Sequence, residues 1–156
     1  MAEQKYWLMK SEPEVFSIDD LAGKPKKTGG WDGVRNYQAR NFMKAMKLGD
    51  RAFFYHSSCE PPGIAGIVEI ARLAYPDPTQ FDGKSEYFEP RATKDKPVWF
   101  QVDVKLVEKL PRLLSLDELR GMPALSGMVL LKRGSRLSIQ PVTPTEWDAI
   151  LRCFRK

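Results

Sequence analysis

The chain is short of the side chains that bind metals and build disulfides. It has one histidine, and its two cysteines, Cys59 and Cys153, lie far apart with no CxxC spacing. Three soft side chains cannot furnish a closed four-ligand zinc site. Two distant thiols in a chain of this size read as reduced packing residues. No metal and no cofactor are expected. Long apolar runs are missing too: the longest uncharged stretch, Gly121–Leu131, carries a proline and two glycines and falls well short of the ~20 residues a membrane helix needs. No basic segment followed by an apolar one opens the sequence, so a secretory leader is not expected. The expectation is a soluble, cytoplasmic protein, open to nucleoid association, monomeric and with no membrane partner.

Nucleotide-binding signatures are also lacking. Gly63-Ile64-Ala65-Gly66 has neither the third glycine nor the following helix of a dinucleotide fingerprint, and no GxxxxGK[ST] occurs. No GxSxG elbow is present.

What is present is a globular composition, 42% hydrophobic and 29% charged over 156 residues, enough for one domain spanning 1–156. The net charge of +5 is unevenly spread. Residues 21–50 carry Lys24, Lys26, Lys27, Arg35, Arg40, Lys44 and Lys47 against two aspartates; residues 132–156 carry six cations against Glu146 and Asp148. Clustering of this kind suits a polyanion, because each neutralised phosphate releases counterions. A basic face that only keeps the chain in solution fits the composition equally well.

Residue patterns give the elements. Tyr6-Trp7-Leu8-Met9 reads as a buried strand, and Ser17 as an N-cap with acids in the turn that follows. Residues 23–30 read as a loop. A helix is expected from Tyr37 to Lys47, apolar at Ala39, Phe42, Met43 and Met46, with a basic stripe at Arg40, Lys44 and Lys47. Ala52–Tyr55 and Ile64–Ile70 read as strands, 75–97 as a long excursion, and 98–107 as a strand with one apolar and one wet face. Ser115 and Glu118 form a capping box. Thr143, Pro144 and Glu146 open a last helix whose Trp147, Ile150, Leu151 and Phe154 make one stripe. Strands and short helices interleave without a βαβ rhythm, which gives an α+β fold with an antiparallel or mixed sheet.

Three segments carry candidate chemistry. Trp31 stands among glycines in Gly29-Gly30-Trp31-Asp32-Gly33-Val34-Arg35-Asn36. There it is either a plug over the core or a platform on which a base stacks. Lys132-Arg133-Gly134-Ser135-Arg136 combines a short turn with cations, suited to phosphate or simply to the surface. His56, Ser57, Ser58 and Cys59 invite a nucleophile reading. Neighbouring strand residues point to opposite faces, however, so His56 reads better as pocket lining or as a structural histidine.

Tyr6-Trp7-Leu8-Met9-Lys10-Ser11-Glu12-Pro13, Trp31 through Asn41, Phe54-Tyr55-His56-Ser57, and Arg133 through Ser138 with Gln140-Pro141-Val142 closely resemble the EVE domain family. The resemblance is collinear over nearly the whole chain. It implies a PUA-like fold, a partly closed mixed β-barrel of five or six strands surrounded by short helices and related to YTH RNA readers. It also implies a pocket for a nucleobase, often a modified one, with modified cytosine in DNA as the associated ligand. By position, Lys10 and Ser11 resemble the Lys-Ser bordering the pocket of YTH readers, and Trp31 resembles a cage aromatic; a second cage tryptophan has no clear counterpart.

The expected base pocket therefore comprises Lys10, Ser11, Glu12, Trp31, Gly33, Val34, Asn36, His56 and Ser57. Arg35, Arg40, Lys44, Arg133, Ser135 and Arg136 are expected to contact phosphate. The expected activity is non-enzymatic binding of nucleic acid, DNA or RNA. Two rivals stay open: an enzyme acting on a modified base with Glu12 or His56 as acid or base, and a module for acidic protein partners.

Overall fold

A computed structural model describes residues 5–132 and 137–154. Six strands form one mixed sheet: β1 (Tyr6–Ser11), β2 (Thr28–Gly30), β3 (Arg51–His56), β4 (Gly63–Pro76), β5 (Phe100–Ser115) and β6 (Ile139–Val142). Their order is β2-β5-β4-β3-β1-β6. β1 runs parallel to β3, Trp7 facing Ala52 and Ser11 facing His56; every other pairing is antiparallel. The sheet is open, with β2 and β6 at its two edges.

Both faces of the sheet are covered, and strand alternation sorts the core. Trp7, Met9, Ala52 and Phe54 pack on one side with Ile18 and Leu21 of α1 (Ile18–Ala22) and Ala39 and Met43 of α2 (Tyr37–Ala45). Leu8, Phe53 and Tyr55 point the other way. They pack with Leu119 of α3 (Leu116–Arg120) and with Trp147 and Ile150 of α4 (Pro144–Phe154). The caps read from sequence form as expected: Ser17 with Asp20 and Ser115 with Glu118 are reciprocal capping boxes. Thr143 Oγ1 accepts the Glu146 N–H at 3.1 Å. Among the described residues no helix is long and apolar enough to cross a membrane.

Four expectations change. Thr28-Gly29-Gly30, read as loop, is a strand on β5; with two glycines it has no side-chain pattern to announce it. α2 stops at Ala45 rather than Lys47 because Met46 turns to extended geometry and the Lys47 N–H goes to the carboxylate of buried Asp50 at 3.0 Å. That carboxylate also accepts the Lys5 N–H and the indole N–H of Trp7. β4 and β5 run well past the segments read from alternation, since register shifts beyond Ile70 and Val68 interrupt the period of two. The wet face of β5 is partly buried: Gln101, 5% exposed, lies under β2, where a Cβ on Gly30 would fall 2.3 Å from its amide nitrogen.

Candidate nucleic-acid interface

The ends of β1 and β2 open onto a cavity of about 240 Å3, lined by Lys10, Ser11, Glu12, Val15, Phe16, Gly30, Trp31, Asp32, Gly33, Val34, Arg35, Tyr87 and Ser138. Three chain segments build it. After β1 the backbone folds back on itself: the Val15 and Phe16 N–H groups donate to the Glu12 carbonyl, and the Ser11 hydroxyl donates to the Phe16 carbonyl at 2.6 Å. This turn brings Phe16 beside the strand end. β6 supports the same corner, since the Lys10 N–H donates to the Ser138 carbonyl at 2.8 Å.

The second segment follows β2. The Trp31 N–H donates to the Val102 carbonyl at 2.8 Å, pinning the loop to β5. Trp31 is 5% exposed and meets Phe16 and Phe54 at interplanar angles of 80°. The two readings of this tryptophan thus merge: it closes the core and also borders the cavity.

The third segment runs from 77 to 99; the sequence places an excursion at 75–97 but cannot aim it. Buried Asp77 aims it. Its carboxylate accepts the Gly33 N–H at 2.8 Å, Nη1 of Arg35 at 3.1 Å, and both the N–H and hydroxyl of Thr79. Gln80 ties the two ends of the excursion together through the Asp77 and Trp99 carbonyls and the Val98 and Trp99 N–H groups. Tyr87 is thereby set against Gly33, where φ is +77° and a Cβ would come within 2.8 Å of the tyrosine ring. Glycine is required at that position by both backbone and packing.

The lining combines aromatic rings with donors and acceptors of both signs. Burial lowers the pKa of the Lys10 ammonium. The Asp32 carboxyl is pushed up, first by desolvation and then by the Asp77 charge, with Arg35 and Lys24 opposing. An ammonium donor, two carboxylate acceptors and ring faces in one concavity suit a flat, polar-edged heterocycle.

Of the residues expected in the base pocket, Lys10, Ser11, Glu12, Trp31, Gly33 and Val34 line the cavity; three do not. Asn36 caps α2, its Oδ1 accepting the Ala39 N–H at 2.8 Å. His56 lies behind the turn, where Nε2 accepts the Ile18 N–H at 3.2 Å and the ring meets Phe54 edge-on. Burial lowers its pKa, partly offset by Asp19. It is a structural histidine, and no base–nucleophile pair with Ser57 forms. Ser57 uses its N–H on the Ser11 carbonyl.

Among the expected phosphate contacts, Arg35 lines the cavity but directs its guanidinium inward. Nε and Nη2 donate to the Tyr87 carbonyl, Nη1 to the Val34 carbonyl and Asp77, and Nη2 also to Thr79. Arg40 donates to the Val98 carbonyl and to Asn41, and Lys44 lies 4.5 Å from the Phe100 ring centre; neither lines the cavity. Arg133, Ser135 and Arg136 lie outside the described residues. Trp99 is buried, stacked on Tyr37 and hydrogen-bonded to Glu89, and does not line the cavity. The lining residues the sequence did not single out are Val15, Phe16, Gly30, Asp32, Tyr87 and Ser138. Asp32 could have been found, since it adjoins Trp31 in the same glycine-rich motif. Tyr87 had no local signal.

A second, shallower groove of about 390 Å3 runs between Gly121–Ala124 and α4. Its lining offers Arg152 and Cys153 among apolar groups, without the convergent polar set of the first.

Known proteins give this geometry a context. Human thymocyte nuclear protein 1 is 50% identical over 169 residues, covering 97% of this chain and 74% of the human protein. A hypothetical protein from Leishmania major has the same architecture, with a TM-score of 0.93 at 52% identity, covering 98% of this chain and 96% of that one. The human THYN1 protein, solved in complex with 5-methylcytosine-containing DNA, gives a TM-score of 0.93 at 48% identity, with 98% and 99% covered. The EVE domain model matches residues 5–153, a span holding all six strands and every residue of the cavity wall. The open mixed sheet and the collinear motifs agree with that match, and the chain belongs to the EVE domain family.

Proposed function

We propose that this chain is a non-enzymatic reader of DNA that holds an extruded, 5-substituted cytosine in the cavity beside Trp31. The observation that carries the reading is the lining itself: Trp31, Phe16 and Tyr87 surround a space edged by Lys10, Glu12 and Asp32. An extruded base needs a ring to rest against and partners for its Watson–Crick edge. Cytosine offers an amino donor, suited to Glu12 or Asp32, and ring acceptors suited to the Lys10 ammonium. A 5-methyl group adds apolar contact with the aromatic wall. The complex of the human THYN1 protein with 5-methylcytosine DNA supports the choice of ligand. Binding without chemistry is supported by the use of His56 and Ser57, which hold backbone groups rather than pairing as base and nucleophile.

The test is an anisotropy titration of duplexes carrying one cytosine, 5-methylcytosine or 5-hydroxymethylcytosine. A modified base is expected to bind about tenfold more tightly than cytosine, the scale one buried methyl-sized group provides. Trp31→Ala is expected to remove that preference and to weaken binding by about 1–3 kcal/mol of lost stacking. Equal affinity for all three duplexes, or a Trp31→Ala chain that keeps the preference, rejects the pocket. The mass of the recovered oligonucleotide is expected to be unchanged; an altered mass makes the chain an enzyme.

A further inference from the structure

If a base enters this cavity, as the proposed reading holds, the adjoining backbone must cross its rim, and phosphate there calls for a free cation. Arg35 cannot supply one. A guanidinium has five N–H donors, and those of Arg35 serve the Tyr87 carbonyl twice, the Val34 carbonyl, Asp77 and Thr79.

A different group of cations lies just before β2, and one of them reaches a cavity wall. The chain between α1 and β2 makes a tight turn, closed by the Lys27 N–H on the Lys24 carbonyl at 2.8 Å and by the Thr28 hydroxyl on the Lys26 carbonyl at 2.9 Å. Lys24 reaches back from it toward the site. Its stem passes over Gly29, where a Cβ would fall 2.8 Å from Lys24 Cδ, and its ammonium lies 5.7 Å from the ring centre of Phe16, a cavity wall. The same charge acts weakly on Asp32, another lining residue.

Lys26 and Lys27 adopt φ of 55° and 53°. Two successive side chains in the left-handed region are strained, and glycine or asparagine is the relaxed choice there. Packing does not explain the lysines, since neither is buried. Charge pairing does not explain them either: Arg35, Arg91, Lys109 and Arg112 have carboxylate partners, whereas among the described residues Lys24, Lys26 and Lys27 form no ion pair. Cations without ion pairs on a strained, closed turn that reaches a cavity wall through Lys24 fit a function kept at some loss of stability.

We propose that the Lys24–Lys27 turn grips backbone phosphates of the strand beside the extruded base. It would take a part that was expected of Arg35 among others, and it recognises phosphate without reading sequence.

The experiment measures binding of a 5-methylcytosine duplex and its unmodified twin between about 50 and 200 mM salt, since each phosphate contact contributes about 0.9 to the slope of log K against log salt. Lys24→Gln/Lys26→Gln/Lys27→Gln is expected to flatten that slope by about 2 to 3 while the ratio between the two duplexes stays at its wild-type value. Lys26→Gly/Lys27→Gly relaxes the backbone, so its melting temperature is expected to equal or exceed that of the unaltered chain while the slope still flattens by about 2. That pairing separates lost contacts from lost folding. An unchanged slope in both variants, with wild-type binding intact, overturns the grip. Wild-type binding that ignores the modification rejects the base pocket, while the slopes still decide the turn; no wild-type binding at all overturns both.

Discussion

Two tryptophans, one on each face of the sheet, are packed in opposite ways. Trp147 of α4 has a ring stacked on it twice, Tyr6 at 4.5 Å and 20° and Phe53 at 4.0 Å and 22°. Trp31 meets Phe16 and Phe54 only at steep angles, and among the described residues no ring is stacked parallel to it. Both are nearly inaccessible to solvent. One aromatic cluster is complete in itself, and the other leaves a cavity against the indole. Burial alone therefore does not distinguish the two tryptophans; the missing parallel partner does. On the reading proposed above, the base supplies that partner.

The sharpest way to break this comparison is to remove each indole in turn. Trp147→Ala is expected to cost about 3–5 kcal/mol in a urea denaturation, with the folded fraction keeping its preference among duplexes. Trp31→Ala is expected to cost distinctly less stability, because the space it leaves joins an existing cavity, and to abolish the preference. The comparison fails if the two variants lose stability equally and Trp147→Ala alone changes binding.

Gly33→Ala tests the wall opposite Trp31. A Cβ at φ +77° is strained by about 1–2 kcal/mol, and it must displace the Tyr87 ring 2.8 Å away. A modest drop in melting temperature is expected, together with a loss of affinity larger than that drop implies, read by calorimetry. Undiminished affinity would mean that Tyr87 is not part of the binding surface.

The smallest effect is a pH dependence. His56 accepts the Ile18 N–H through Nε2, which only the neutral ring can do. Its pKa is held below the ordinary imidazole value of about 6.5, chiefly by burial. In the unfolded chain the ring takes up its proton first as pH falls, so the stability it contributes is present above about 6.5 and lost below it. Denaturation midpoints at pH 7.5 and 5.5 should therefore differ, and His56→Gln, which keeps an acceptor, should shrink the difference. The same pH response in both chains would assign it to other groups.

Capping residues and periodic strands were legible because their signals are local. Ser17, Ser115, Thr143 and the stripe on α4 each depend on residues within one or two turns. The glycine-rich loop around Trp31 stood out for the same reason, and it lines the cavity. β2 was not, because two of its three residues are glycines. Polar residues near the site proved ambiguous: Asn36 and His56 look like pocket groups in sequence, yet both satisfy backbone N–H groups at helix starts. Arg35 and Tyr87 were beyond reach of local reasoning. Only the buried Asp77, more than forty residues along from Arg35, decides that this cation faces inward and that this tyrosine becomes a wall.

β1, which carries Lys10 and Ser11, lies between β3 and β6, with Tyr6 paired to Val142 and Met9 to Ile139. The two sides of that junction come from opposite ends of the described chain. Contacts of such long range form late, once the intervening loop entropy has been overcome. The cavity at the end of β1 is thus expected among the last features to assemble, and a partly folded chain is expected to lack it. Occupancy of the cleft would in turn clamp the two ends together, so a bound ligand should slow global unfolding rather than merely quiet a surface loop.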